Sequence, residues 1–258
     1  MAYFGLAAKN EEQKAAVRAL ANTKTFAFIT GPAGTGKTLL AMAVGLENVI
    51  EKRDHGKMIY TRMQTQIGEQ LGFLPGDLGA KTFPFIAPFM DNLDELTTDA
   101  NSLMHNFANP EGGKQRIFFD PIQTMRGRSL RQAYIIIDEA QNNPGEIMHA
   151  IATRPKGAKI VFVGNFAQID DKRLRTPETN GLFRLLKGLY DKEAHDHFDH
   201  INLTEVHRDA VVGIVEEIFR DHDMDDKFAE LEARGNVGHT VPLYVIDGGH
   251  GMNVEGKR

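Results

Sequence analysis

The run Gly31-Pro32-Ala33-Gly34-Thr35-Gly36-Lys37-Thr38 constrains this chain more than any other stretch. It fits G-x-x-x-x-G-K-[ST], a phosphate-binding loop, a motif that needs a strand before it and a helix after it. Both are present in pattern: 25–30 is an apolar run that reads as a buried strand, and 39–44 is apolar with helical character. Glycines let the backbone wrap an anion with no side chain in the way. The loop N–H groups and the helix N-terminus then turn partial positive charge toward it. Lys37 is placed to reach the β- and γ-phosphates of a nucleotide, and the Thr38 hydroxyl to bind Mg²⁺. The plain alternative is a glycine-rich turn between strand and helix.

A second signal lies about a hundred residues on. Residues 134–137 form a large apolar run, and Asp138 and Glu139 follow it directly. Such a run reads as a buried strand, which delivers Asp138 at its C-terminal end near the loop. There Asp138 would share Mg²⁺ with Thr38. Glu139 turns a different way and would polarise an attacking water as general base. The competing reading makes the two acids the cap of the next helix.

A third buried strand, 159–164, ends in Asn165-Phe166-Ala167-Gln168. Amides just past a core strand, beside the other strand ends, would bond a γ-phosphate or the attacking water. Gly-Asn is also a natural turn pair. Asn10 reads as the N-cap of a helix with Ala16, Val17 and Leu20 on one side. Gln13 either completes that cap or reads an adenine edge. Arg62 ends the β-prone stretch 57–61, where strand ends line the crevice of an open parallel sheet, or is a surface arginine.

Basic residues gather between Lys114 and Arg131. Arg126 and Arg128 flank a glycine in a loop suited to phosphate-backbone contact, or to simple solvation. Arg173 sits in a second charged loop. Arg208, at a late strand-to-helix junction with the strand expected at 201–204, would act as an arginine finger in its own or a neighbouring subunit, or pair with Asp209. His195, His197 and His200 alternate with acids. Without a ligand spacing, a solvated turn is expected there rather than a metal site. A helix is expected within 85–107, another from Pro144 to Ala152, and a third over 181–190.

Composition sets the outer limits. The chain has 258 residues and no cysteine, which excludes disulfides, thiolate metal sites and a thiol nucleophile. Lys and Arg total 30 against 35 Asp and Glu, so nucleic-acid binding would have to come from a local basic patch. No apolar run approaches a membrane span, and the first residues lack the pattern of a signal peptide, so a cytoplasmic location is expected.

Together, the loop, the Asp-Glu strand and the amide-bearing strand indicate a P-loop ATPase with an extra strand between the loop strand and the Asp strand. The motif order resembles superfamily 1 helicases and, in finer detail, the PhoH-like family of predicted ATPases. The matching stretches are Gly31 to Thr38, Leu71 to Asp77 (L-G-F-L-P-G-D), Met125 to Arg128 (M-R-G-R), Asp138 to Asn142 (D-E-A-Q-N) and His207-Arg208. The resemblance covers roughly Gln13 to Phe219. It implies a three-layer α/β RecA-like core with a mostly parallel sheet, placed over 1–220. Beyond it, 221–258 reads from its residues as an extension with a short helix, a short strand at 243–246 and a loose tail. The resemblance further implies Mg²⁺-dependent ATP hydrolysis, a homo-oligomer expected as a hexameric ring, and single-stranded RNA or DNA as partner. The superfamily motif usually carries Asp where this chain has Asn165, which places the weight of base catalysis on Glu139. An ATP-binding switch and a small-molecule kinase are the alternatives. The length has room for one such core, so a neighbouring subunit is expected to complete each site.

Overall fold

The structure, a computed structural model, describes residues 2–63, 78–108, 113–125, 130–206, 211 and 226–237. In chain order its elements are β1 (Ala2–Tyr3), β2 (Leu6–Ala7), α1 (Glu11–Ala21), β3 (Phe26–Thr30), α2 (Lys37–Leu46), β4 (Lys57–Arg62), α3 (Leu78–Leu96), α4 (Ala100–Phe107), β5 (Ile117–Phe119), β6 (Leu130–Arg131), β7 (Ala133–Asp138), α5 (Gly145–Ala152), β8 (Pro155–Lys156), β9 (Lys159–Val163), α6 (Gly181–Asp191), β10 (Phe198–Asn202) and α7 (Lys227–Ala233). A π-helical turn, Glu47–Glu51, continues α2.

Six strands form one sheet in the order β10-β3-β9-β7-β4-β5, and every neighbouring pair is parallel. β9 therefore stands between the loop strand β3 and the Asp strand β7, as the sequence motifs lead one to expect. The central strands are buried along their whole length. Parallel sheets are covered on both faces, so their strands read as unbroken apolar runs. Period-two alternation then divides each run between two cores. Ala27, Ile29, Tyr134, Ile136, Val161 and Val163 pack with residues of α1, α2 and α3. Phe28, Ile135, Ile137, Ile160 and Phe162 pack with residues of α5, α6 and α7. The result is a three-layer α/β fold with a parallel central sheet. Phe28 and Phe162 stack at 4.7 Å between centroids, which ties the loop strand to the amide strand.

Three local expectations are corrected. The helical stretch 85–107 is two helices, because Asp99 accepts from Ser102 N at 3.1 Å and caps α4. Pro144 stands at the N-cap of α5 rather than inside its first turn. The last described strand starts at Phe198, not Ile201, and its His200 is buried rather than part of a solvated turn.

His200 and Asn202 form a polar seam beside the loop strand. Thr30 Oγ1 donates to Asn202 Oδ1 at 2.9 Å and lies 2.9 Å from His200 Nε2. Asn202 Nδ2 donates to Asn236 Oδ1 at 2.8 Å, joining the turn after α7 to the same seam. Phe228 of α7 packs on Phe166 and Phe183 at 5.1 and 5.0 Å, so this helix shares the second core. The short strand expected at 243–246 and most of the helix expected after Arg208 fall outside the described residues.

Candidate functional site

The loop leaves β3 at Thr30 and enters α2 at Lys37. Gly31, Gly34 and Gly36 all have positive φ, at 125°, 78° and 86°. Gly36 ends the loop in the left-handed region, which glycine enters without penalty. It caps α2 with no side-chain hydrogen bond, and the first turn of α2 holds no acid. That leaves a helix N-terminus suited to an anion. Lys37 Nζ lies across the loop and donates to Pro32 O at 2.6 Å. Gly31 has a separate duty. A Cβ there would sit 2.0 Å from Leu203 O, so the loop begins pressed against the chain leaving β10.

Gln13 braces the loop from outside. Its Nε2 donates to Thr35 O at 3.2 Å, and its Oε1 accepts from Lys9 N at 2.9 Å. The side chain thus reaches the N–H of Lys9 rather than that of the N-cap Asn10. Asn10 Oδ1 accepts from Gln13 N at 2.8 Å. Gln13 also lines the cleft described below.

Asp138 ends β7 and is held at both oxygens. Oδ1 accepts from Thr38 Oγ1 at 3.0 Å, and Oδ2 accepts from the Tyr60 hydroxyl at 2.5 Å. Burial, then the Asp138 charge, pushes the Tyr60 hydroxyl well above its ordinary pKa, so it acts as a donor. Glu139 follows in the left-handed region at φ 50° and ψ 43°. A non-glycine residue there carries strain on the order of 1–3 kcal/mol, and such strain persists only where surrounding contacts fix it. Gln141 supplies contacts of that kind, with Nε2 donating to Glu139 Oε2 at 2.6 Å and to Gln168 O at 2.9 Å. Burial and the neighbouring Asp138 raise the Glu139 carboxyl above the usual carboxylate range, against the Gln141 bond, Arg62 and Lys37, which lower it.

Asn165 stands at the end of β9. Its backbone N–H donates to Gln141 Oε1 at 3.1 Å, and its Oδ1 accepts from Ala167 N at 3.0 Å. Those bonds fix the amide's orientation. Nδ2 is buried and has no hydrogen-bond partner among the described residues. Gln168 is exposed and lines the same cleft. Gln141 is fully buried and bonds both Glu139 and the 165–168 turn; the sequence pattern assigns no site role to it or to Tyr60. The signal for Gln141 was its place in D-E-A-Q. Tyr60 gave none, since it meets Asp138 only through strand pairing.

These groups share one cleft of about 620 Å³ at the C-terminal strand ends, lined by Gln13, Gly34, Gly36, Lys37, Thr38, Asp138, Glu139, Asn165 and Gln168. Arg62 ends β4 in register with Asp138 and lowers the Glu139 pKa, which places it beside the cleft. Arg173 is 88% exposed in its side chain and forms an ion pair with Asp171 at 2.7 Å. Arg126, Arg128 and Arg208 lie outside the described residues, as does 71–77. Among the described residues, no group of three or more His, Cys, Asp or Glu is arranged to hold a metal. Mg²⁺ usually takes one or two carboxylates, with phosphate and water filling the other positions. A hydroxyl and a carboxylate oxygen 3.0 Å apart beside a phosphate loop fit that need. No helix among the described residues is long and apolar enough to cross a membrane.

Residues 5–220 match the family described as PhoH-like protein. Protein PhoH2 of Thermobispora bispora is 31% identical over 221 residues, covering 84% of this chain and 48% of that protein. A PhoH-like protein of Bacillus subtilis is 42% identical over 146 residues, covering 55% of this chain and 43% of that one. The chain thus spans about half the length of the curated relatives it matches. Among solved structures, Pif1 helicase from Candida albicans aligns with a TM-score of 0.43 and 15% identity, over 89% of this chain and 48% of that one. Bacteroides Pif1 in complex with ADP-AlF4 aligns with a TM-score of 0.37 and 13% identity, over 80% of this chain and 44% of that one.

Proposed function

Because the chain belongs to the PhoH-like protein family and carries its P-loop NTPase core, we propose that it is a Mg²⁺-dependent ATPase, homo-oligomeric, that couples hydrolysis to binding of single-stranded RNA or DNA. The observation that carries this reading is the Thr38–Asp138 hydrogen bond at 3.0 Å, with Glu139 next in the chain and in the same cleft. Residues a hundred positions apart meet beside the phosphate loop, and this hydroxyl and carboxylate would hold a divalent cation.

In this reading the uncapped N-terminus of α2 and the loop glycines hold the phosphates. Lys37 leaves Pro32 O for the β- and γ-phosphate oxygens. Thr38 and Asp138 hold Mg²⁺, which when bound neutralises charge on those oxygens. Glu139 takes a proton from the attacking water as the new bond to the γ-phosphorus forms. The bond to the bridging oxygen breaks, and ADP and inorganic phosphate leave. Asn165 Nδ2, without a partner among the described residues, is an N–H donor for the γ-phosphate or the water, and Gln168 senses the same phosphate from the rim. Gln141 links both to the base. Gln13 stands at the nucleobase end. Arg62, Arg126, Arg128 and Arg173 are the candidates for the nucleic-acid backbone, and Arg208 for a finger reaching a neighbouring site.

The test is phosphate release with and without single-stranded RNA and DNA, across salt, for the wild type and Lys37→Ala. The reading predicts turnover that the variant lacks, and stimulation that fades as salt rises, because backbone neutralisation releases counterions. Turnover equal in both proteins contradicts the ATPase assignment. Equal rates with and without either nucleic acid contradict the coupling. Mass measurement with ATP and Mg²⁺ tests the oligomer, and a lone monomer contradicts it.

A further inference from the structure

Tyr60 is 2% exposed, yet it carries a hydroxyl, and the sheet decides where that hydroxyl goes. In the β4–β7 pairing Tyr60 stands opposite Ile136 and Arg62 opposite Asp138. Alternation puts Tyr60 and Asp138 on the same face, the one that α2 covers. Phe89 of α3 meets the Tyr60 ring edge-on at 5.3 Å, and Phe119 of β5 does so at 6.3 Å. Held by those rings, the hydroxyl donates to Asp138 Oδ2 at 2.5 Å, while Thr38 holds Oδ1 at 3.0 Å. A carboxylate turns readily about its last torsion, which has only a broad preference of its own. Two donors on its two oxygens remove that freedom. Hydrogen bonds to an ionised acceptor are also the stronger kind.

We propose that Tyr60 is a positioning residue for the cation-binding carboxylate: its hydroxyl sets the rotation of Asp138, so that the oxygen shared with Thr38 faces the metal. The role rests on the assignment of Asp138 to Mg²⁺. Tyr60 is not among the residues lining the cleft, and its hydroxyl would act through Asp138. Through the Phe89 contact, the packing of α3 bears on the same carboxylate.

Tyr60→Phe keeps the ring, its aromatic neighbours and its volume, and removes only the donor. The measurement is the thermal unfolding midpoint at fixed ATP as Mg²⁺ is titrated, which does not depend on turnover. The variant should fold with a lower midpoint without ligand, because Asp138 Oδ2 loses a donor, and should bind ATP in EDTA as the wild type does. It should need about tenfold more Mg²⁺ for half of the metal-dependent rise, as expected when one charge-assisted bond is lost. A folded variant with the wild-type Mg²⁺ titration overturns the proposal. A wild type that binds ATP but shows no metal-dependent rise overturns the Asp138 assignment beneath it, so the two failures are told apart. A second measurement needs no variant. In wild-type protein carrying 3-fluorotyrosine at its five tyrosines, one ¹⁹F resonance should move when Mg²⁺ is added over ATP alone. If none of them moves, the proposal falls.

Discussion

Acid should unlock the loop strand through His200. The Thr30 hydroxyl has a single proton, which goes to Asn202 Oδ1 at 2.9 Å. His200 Nε2, 2.9 Å from the same oxygen, is therefore the donor to it. Nδ1 is left as acceptor for the Tyr190 hydroxyl at 3.0 Å. The ring is thus neutral, with both nitrogens committed. Burial, reinforced by the Arg234 charge, pushes its pKa down to about 3 from 6.5. Between those values the unfolded chain takes up a proton that the folded chain refuses. The stabilisation is complete above about pH 6.5 and is lost as pH falls toward 3. At pH 5 the loss is about 2 kcal/mol, at roughly 1.4 kcal/mol for each pH unit below the unfolded value. Urea unfolding of the wild type and His200→Gln at pH 7 and pH 5 reads this directly. The variant should be weaker at pH 7, yet lose about 2 kcal/mol less than the wild type on acidification. Parallel pH dependence in the two proteins would refute the reasoning, because other titrating groups are common to both.

Further outcomes follow from the geometry of the loop and its helix. Gly31→Ala combines left-handed strain with a Cβ 2.0 Å from Leu203 O. It should cost at least about 3 kcal/mol in urea unfolding, and a loss below about 1 kcal/mol would show that the glycine serves phosphate alone. Gly45→Ala improves helix propensity but drives a Cβ to 2.8 Å from the Tyr134 ring and 2.9 Å from Met58 Sδ. Overpacking should win by about 1–3 kcal/mol net destabilisation in thermal or urea unfolding. The acid limb of kcat/KM for ATP, which reports the free enzyme, should lie above the usual carboxylate range, because burial raises Glu139 and only its ionised form accepts a proton. A pH–rate profile with its acid limb at an ordinary carboxylate pKa would remove Glu139 as the base.

Much of this architecture is legible in the chain because parallel strands advertise themselves. Residues 26–30, 134–137 and 159–163 are continuous apolar runs, and each is a central strand buried on both faces. Each run also ends in groups that line the cleft: the glycine loop, Asp138 with Glu139, and Asn165. What local pattern does not carry is pairing across the sheet. Tyr60 meets Asp138 through strand register 78 residues away. Gln141 reads as the tail of a motif until β9 brings Asn165 to it. His200 looks solvated among neighbouring acids, yet Thr30 and Tyr190 satisfy it inside the protein, and those partners are 170 and 10 residues distant. Gly31 reads as a phosphate residue, while its tightest constraint is a carbonyl that reaches it from the end of β10. Arg173 reads as part of a charged loop open to a partner, and it forms an exposed ion pair with Asp171 two residues earlier.

The central claim is that the cleft joining Thr38, Asp138 and Glu139 hydrolyses ATP, and Glu139→Gln tests it most directly. Removing a general base typically costs about 10²–10⁴ in rate, while the loop that binds the phosphates is untouched. The account predicts that the variant binds ATP as the wild type does and releases phosphate at least about a hundredfold more slowly. Phosphate release at the wild-type rate would contradict it.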